Sequence, residues 1–271
     1  MYEWDVLITA STIALPRLRP EGVLDPLKPV LFHPDVLADN AWQGGFEAGW
    51  LDNTKNLGYA ISETVLLMAV NTDLVKEGEI RTVKDLLDPK WKGKAIYQDV
   101  RSGLTFAVMT AVRVGQGEDV LRRLIVDQEP AFSRDVRQIV EAMVRGRYAF
   151  SNSVTKPVLQ QFLDEGQGKN IRFIDIPDMS YITNANALWI VNRAPHPSAA
   201  RLLANWVPTK AGQEAFSRFV ESNTRRSDVP PYDQLAVPKP GQRYLRVGPE
   251  DNLPELDKTQ RLLNDWTGIK N

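Results

Sequence analysis

Asp99-Val100-Arg101-Ser102-Gly103 lies between a strand-like and a helix-like segment, and its residue types suit the capture of an anion. The planar guanidinium of Arg101 can clamp a carboxylate or phosphate through two parallel hydrogen bonds. Ser102 adds a hydroxyl, Gly103 lets a ligand come close to the backbone, and Asp99 is the charged neighbour of both. Ser133-Arg134-Asp135 stands at the start of another helical stretch, where Arg134 is a ligand candidate and Asp135 is accounted for by the helix dipole. Ser11 and Thr12 follow the first apolar run, where they either offer hydroxyls and backbone N–H groups to an anion or cap a helical turn.

The same inventory argues against catalysis. There is no GxSxG, no GxxxxGK[ST], no HExxH and no closely spaced catalytic pair. His33 and His196 lie far apart, each in a Pro-flanked segment, and the chain has no Cys, so a histidine triad, a zinc site and a thiol nucleophile all lack their parts. Lys and Arg number 33 against 34 Asp and Glu, for a formal net charge of -1. That balance gives no overall drive toward nucleic acid or an anionic membrane, so any partner is recognised locally. No cofactor and no metal are expected.

The elements that must position these residues follow from hydrophobic patterning over 271 residues, 43% of them hydrophobic. Residues 4–9 (WDVLIT) read as a buried strand; the start of the chain lacks the features of a secretory signal, and no apolar run approaches the ~20 residues of a membrane span. Val23 to Gly49, rich in Pro, Asp and Gly, reads as a surface excursion, and 58–70 as one long strand or two. A capped helix over 82–87 precedes a strand at 94–99. Helices are expected from Ser102 to about Arg113, over 118–127, over 134–145 and over 154–165, with strands near 148–153 and 171–177. A strand at 186–192 leads to helices at 197–207 and 210–220, and a Pro-rich stretch ends in a helix near 256–266. This alternation predicts α/β architecture with largely parallel sheets. Trp42, Trp50 and Trp91 read as core or surface anchors, and the cations Arg225 and Arg226 as helix-end or inter-lobe salt-bridge partners.

Four segments in order, WDVLITAS, VNTDLVKEGEI, VKDLLDPKWKGKAIYQDVRSG and VNRAPHPSAARLLANWVPTKAGQEAFSR, resemble the iron(III)-type extracellular solute-binding proteins of bacterial ABC transporters. The resemblance covers almost the whole chain. It implies the type II periplasmic-binding-protein fold, with two α/β lobes joined by two hinge strands and a ligand held in the cleft between them. Residues 64–71 and 184–191 match the crossovers, so 1–71 with 187–271 form lobe I and 72–186 form lobe II. Ser62 and Glu63 precede the first crossover, and Asn184 and Asn186 flank the second; Ser62 and Asn184 are ligand candidates, and Glu63 contacts a cation or pairs with an Arg.

Two departures from the family shape the expectation. Its members carry a strand, a helix and a second strand before the position of WDVLIT, so this chain reads as N-terminally truncated. The intact family is monomeric, but open sheet edges would invite a dimer. The iron-binding members present two adjacent tyrosines in the loop matched by Phe150–Thr155, where this chain has Ser151, Asn152 and Ser153. Hydroxyls and amides are poor substitutes for phenolates on ferric iron, so these three are expected to bind a small anionic or polyhydroxylated solute instead. The alternative for them is an ordinary capped turn. The resemblance thus implies the non-enzymatic, periplasmic or extracellular substrate-binding component of an ABC importer, with a membrane permease as partner and no nucleic acid. Alternatives are ferric iron held by other oxygen ligands, or an enzyme on the same scaffold.

Overall fold

Short β-branched and aromatic runs bounded by Pro, Gly and Asp give short strands here, and apolar residues spaced three and four apart give the helices between them. The structure, a computed structural model, describes residues 3–184 and 186–269. The strands are β1 (Val6–Thr9), β2 (Leu24–Asp25), β3 (Tyr59–Ala60), β4 (Thr64–Val65), β5 (Met68–Asn71), β6 (Ile96–Gln98), β7 (Ala131–Ser133), β8 (Phe150–Ser151), β9 (Ile171–Ile174), β10 (Tyr181–Asn184), β11 (Ala187–Val191) and β12 (Tyr244–Arg246). The helices are α1 (Ser11–Ile13), α2 (Pro34–Leu37), α3 (Gly103–Gln116), α4 (Glu118–Arg122), α5 (Val136–Val144), α6 (Lys156–Asp164), α7 (Pro197–Trp206), α8 (Lys210–Val220) and α9 (Leu253–Thr267). The chain forms two compact units. The first holds the residues up to Val65, Thr183–Pro238 and Arg246–Leu253; the second holds Leu66–Ile182, Lys239–Leu245 and the residues from Pro254 on.

In the first unit β11 is the centre of the sheet, and all five of its residues are buried. It pairs antiparallel with β1, in the register Val6↔Ile190 to Thr9↔Ala187, and with β2 and β3. The core beside it contains Leu27, Leu31, Val36, Trp42, Phe46 and Trp50. The segment expected to run over the surface therefore supplies much of this core. Its Pro and Gly make the turns, but the large apolar residues between them can lose contact with water only by folding inward.

Trp42 carries an unusual load of charge. The Arg225 and Arg226 guanidiniums lie 5.1 and 5.3 Å from its ring centroid, and both side chains are 1% exposed. Arg225 donates to the carbonyls of Ala60, Gln43 and Gly45 and to the Tyr59 hydroxyl. Arg226 donates to both carboxylate oxygens of Asp228 at 2.7 and 2.8 Å, to Asp35 Oδ1 at 2.7 Å and to the Pro208 carbonyl at 3.0 Å. This pair is the internal frame of the first unit, and the helix-end role expected for it does not hold. Helix α8 ends at Glu221 in a left-handed conformation, and the two arginines come after it, inside the fold.

In the second unit β5 lies between β8 and β9, both antiparallel, whereas β6 and β7 pair in parallel. Beside the parallel pair β6–β7 and the parallel bridge Ala95↔Phe150, the pairs β1–β11, β2–β11, β3–β11, β4–β10, β5–β8 and β5–β9 are antiparallel, which corrects the expectation of largely parallel sheets. The helices fall between strands in sequence, but strands joined by one helix need not be neighbours. Strand β5, for example, pairs with β8 and β9 from far along the chain. Helices α5 and α6 cover one sheet face through Ile139, Val140, Met143, Leu159 and Phe162.

The final helix was expected in the first lobe, but its body belongs to the second unit. Arg113, near the end of α3, donates to Thr259 Oγ1 at 2.8 Å and pairs with Glu255, and Gln260 donates to the Val100 carbonyl at 2.9 Å. Leu256, Thr259 and Leu263 are buried beneath. Arg113→Ala is expected to destabilise this attachment by about 1–2 kcal/mol through lost charge-assisted hydrogen bonds and packing, while Thr259 Oγ1 still donates to the Glu255 carbonyl. Hydrogen exchange should then quicken in α9 and little elsewhere; an unchanged α9 would refute the clamp.

Candidate functional site

The second unit gathers four of the predicted residues around one opening. Gln98, Asp99, Arg101, Ser102 and Arg134 line a cavity of about 380 Å³ at the end of β6, where the chain turns into α3. Parallel pairing of β6 with β7 brings this about, because both strands end at the same edge. The Asp99 amide continues the ladder to the Ser133 carbonyl at 2.8 Å, which sets Arg134 beside Asp99. The far end of α3 is held just as closely: a Cβ on Gly115 would lie 1.6 Å from Ser180 Oγ, so only glycine allows the helix this approach.

Asp99 is the electrostatic hub. Its Oδ1 accepts from the Arg101 amide at 2.9 Å and from Arg101 Nε at 2.7 Å, its Oδ2 accepts from Arg101 Nη2, and Arg134 Nε lies 3.4 Å from Oδ2. The Arg101 guanidinium holds the Asp99 carboxyl far below the usual carboxylate range. Because the folded value lies below the unfolded one, this pairing adds stability above about pH 4 and loses it only in strong acid. At neutral pH two cations therefore face one anion, leaving one net positive charge.

Around this hub stand neutral donors. Ser102 precedes α3 without capping it; its hydroxyl donates instead to Gln98 Oε1 at 2.6 Å. Gly103 is the exposed first residue of the helix, with nothing nearer than the Phe106 ring at 3.9 Å from a Cβ placed there. No side chain caps this 14-residue helix, whose exposed first residue follows the arginine-bearing turn, a setting that favours an anion. Asp99→Asn is expected to raise affinity for a small inorganic anion such as sulfate by about fivefold at low salt, the gain shrinking above 0.1 M. Calorimetry at two salt concentrations checks this; a fall in affinity would mean that Asp99 chiefly orients Arg101.

The other predicted residues are placed differently. Ser151, Asn152 and Ser153 are buried, and their oxygens turn toward the fold. The Gln98 amide donates to Ser153 Oγ at 2.8 Å, Ser153 Oγ donates to Asn152 Oδ1 at 3.0 Å, and the Ser153 amide donates to Ser151 Oγ at 3.0 Å. They brace Gln98 from behind and do not line the cavity. Asp135 caps α5, accepting from the Arg137 and Gln138 amides.

Ser11, Thr12 and Ser62 belong to the first unit. Ala10, not Ser11 or Thr12, is the residue before α1, and no side chain caps that helix. Ser11 begins the helix and is buried, while Thr12 is half-buried. The Ser62 hydroxyl accepts from the Asn186 amide at 2.8 Å, tying the two crossing segments together. Glu63 accepts from Thr183 Oγ1 at 2.8 Å and pairs with Arg246 at 3.3 Å, so its partner is an arginine of this chain. The Asn184 side chain lies outside the described residues. Gln98 is the lining residue that sequence reasoning missed; its place at the carboxyl end of a strand was the available signal.

Residues 3–234 match the family model for bacterial extracellular solute-binding proteins. The curated iron uptake protein A1 of Synechocystis is 24% identical over 115 residues, which is 42% of this chain and 29% of that protein, so the match spans less than a third of the relative's length. Among solved structures, iron-bound HitA from Pseudomonas aeruginosa superposes with a TM-score of 0.69 at 17% identity, covering 98% of this chain and 83% of its own. Apo ferric ion-binding protein A from Pasteurella haemolytica gives 0.73 at 14%, covering 98% and 83%. AfuA from Actinobacillus pleuropneumoniae, with fructose-6-phosphate bound, gives 0.69 at 18%, covering 98% and 82%. At such identities the likeness is one of fold, that of the two-lobed periplasmic binding proteins.

Proposed function

This chain belongs to the bacterial extracellular solute-binding protein family, and from that premise we propose that it is the solute-capturing component of an ABC importer, delivering a small anionic or polyhydroxylated solute to a membrane permease. The observation that supports this reading is the cavity lined by Arg101, Arg134 and Ser102 at the turn into α3, a helix without a side-chain cap. Paired guanidiniums suit a carboxylate or phosphate, while Gln98 and Ser102 suit hydroxyls. Nothing in this arrangement activates a nucleophile: Asp99 is held ionised by arginines and has no proton to give at neutral pH. We therefore assign no catalytic step.

Ferric iron is the second reading, favoured by the ferric-binding and iron-uptake proteins the chain resembles. Against it stands the donor set. Ser151, Asn152 and Ser153 carry no anionic oxygen, and among the described residues no three or more His, Cys, Asp or Glu come together as a metal group.

A thermal-shift screen of the purified chain against organic acids, sugar phosphates, polyols and ferric citrate separates the readings. A true solute should stabilise the fold by roughly 2.7 kcal/mol at a hundredfold excess over its dissociation constant. A saturable rise with one anion supports solute capture. A response to ferric citrate alone, with a visible absorption band, would overturn it.

A further inference from the structure

We infer a second small-ligand site in the second unit, taking an amphipathic anion with a medium-length apolar body and a single carboxylate head. The sheet pleat separates it from the site already described. Ala69 and Phe173 pair across β5 and β9, and they face the core under α5 and α6. Val70 and Arg172, the next pair in register, therefore present their side chains on the opposite face, together with Ile174. The loop after β5 folds over that face and encloses a cavity of about 450 Å³ lined by Val70, Val75, Ile80, Ile174, Arg172 and Lys76, with Thr72, Glu77 and Gly78 at its margin. The volume falls within the range of small-ligand pockets.

The roof is held in place before any ligand arrives. The Asn71 side chain accepts from the Asp73 amide and donates to the Met143 carbonyl, and Asn170 donates to Asp73 Oδ2 at 2.8 Å. Glu79 accepts from the Lys76 amide and from Lys90 Nζ, both at 2.8 Å, and Arg81 Nε donates to the Gly78 carbonyl at 2.7 Å. Gly78 sits at φ +73°, a left-handed turn that closes the loop over the pocket. Walls fixed in this way reduce the ordering cost of binding.

The pocket's chemistry selects its ligand. Val70, Val75 and Ile80 are buried and offer no hydrogen bonds, which suits a hydrocarbon body. Arg172 and Lys76 are exposed at the rim, and among the described residues neither side chain has an ion-pair partner within salt-bridge distance. Glu77, the remaining rim charge, leaves a net of one positive charge, matched by one carboxylate.

Octanoate is the probe, with octylamine as its cationic counterpart. Calorimetry on the full chain should show saturable octanoate binding, weakened about tenfold or more in Arg172→Gln/Lys76→Gln through loss of charge-assisted contacts and unchanged in Arg122→Gln, an exposed cation that lines neither cavity. The exposed positions of both rim cations should leave the melting temperature of the double variant unaltered, which separates loss of the site from loss of the fold. Absence of saturable binding, equal binding of octylamine, or an equal loss in Arg122→Gln would each overturn the assignment. Because the octanoate pocket and the Arg101–Arg134 site share no residue, either can fail without the other.

Discussion

Replacing Arg226 with alanine should lower the stability of the first unit by roughly 2–4 kcal/mol, through lost buried hydrogen bonds and lost packing, with Asp35 and Asp228 regaining water because each is more than a third exposed. The side chain touches almost no solvent and ties its near neighbour Asp228 to two places further off in sequence, Asp35 before the core aromatics and Pro208 between α7 and α8. Removal leaves the Pro208 carbonyl without this donor, takes the guanidinium from Asp228 and from Asp35, which keeps the Lys210 amide, and removes a cation from beside Trp42. Lysine should rescue little, because a single ammonium cannot meet both oxygens of Asp228 and also reach Asp35. Urea denaturation followed by tryptophan fluorescence checks this. A loss below about 1 kcal/mol would show that the contacts are replaceable by water.

The Arg101→Gln/Arg134→Gln variant should lose anion binding by roughly a hundredfold, because each charge-assisted contact accounts for about a factor of ten, and its ligand-free melting temperature should fall only by the modest share that the Asp99 pairs supply. Arg134 is three-quarters exposed and Arg101 partly so, and neither supports the core. Glutamine keeps hydrogen-bonding capacity and removes charge, so the loss isolates the electrostatic part. The variant leaves Asp99 as the only charge on the lining, turning a net positive site negative and repelling the same ligand. Wild-type affinity should fall with added salt, and the variant's residual affinity should respond weakly or in the opposite sense. Equal affinity in wild type and variant would remove this cavity from consideration, whatever solute the protein carries.

These two sets of arginines look alike in the sequence and have opposite fates. Arg101 and Arg134 were legible because each stands beside a strand-to-helix junction, and such junctions collect at the carboxyl ends of strands. Family membership was legible from NTDLV, DLLDPKWKGK and KAGQEAF, whose spacing runs almost the length of the chain. The lack of an adjacent tyrosine pair at 150–155 is likewise a fact of sequence, and it bears on ferric iron without any coordinates.

Other features waited for the tertiary structure. Whether a polar residue meets a ligand or a carbonyl depends on groups distant along the chain. Ser151, Asn152 and Ser153 read as a binding loop, yet the amide of Gln98 claims Ser153 and turns the trio inward. Arg225 and Arg226 read as helix-end or salt-bridge cations, yet carbonyls from residues 35–60 and from 208 surround them. The Pro-rich stretch from Val23 to Gly49 read as exterior because turn residues mark where a chain bends, not whether the residues between bends reach water. Sequence by itself determined the family, the local strand-and-helix grammar and the charges near the candidate site. Only the folded chain decided which charges face the cavity and which brace the interior, because burial and hydrogen-bond satisfaction are settled by long-range contacts.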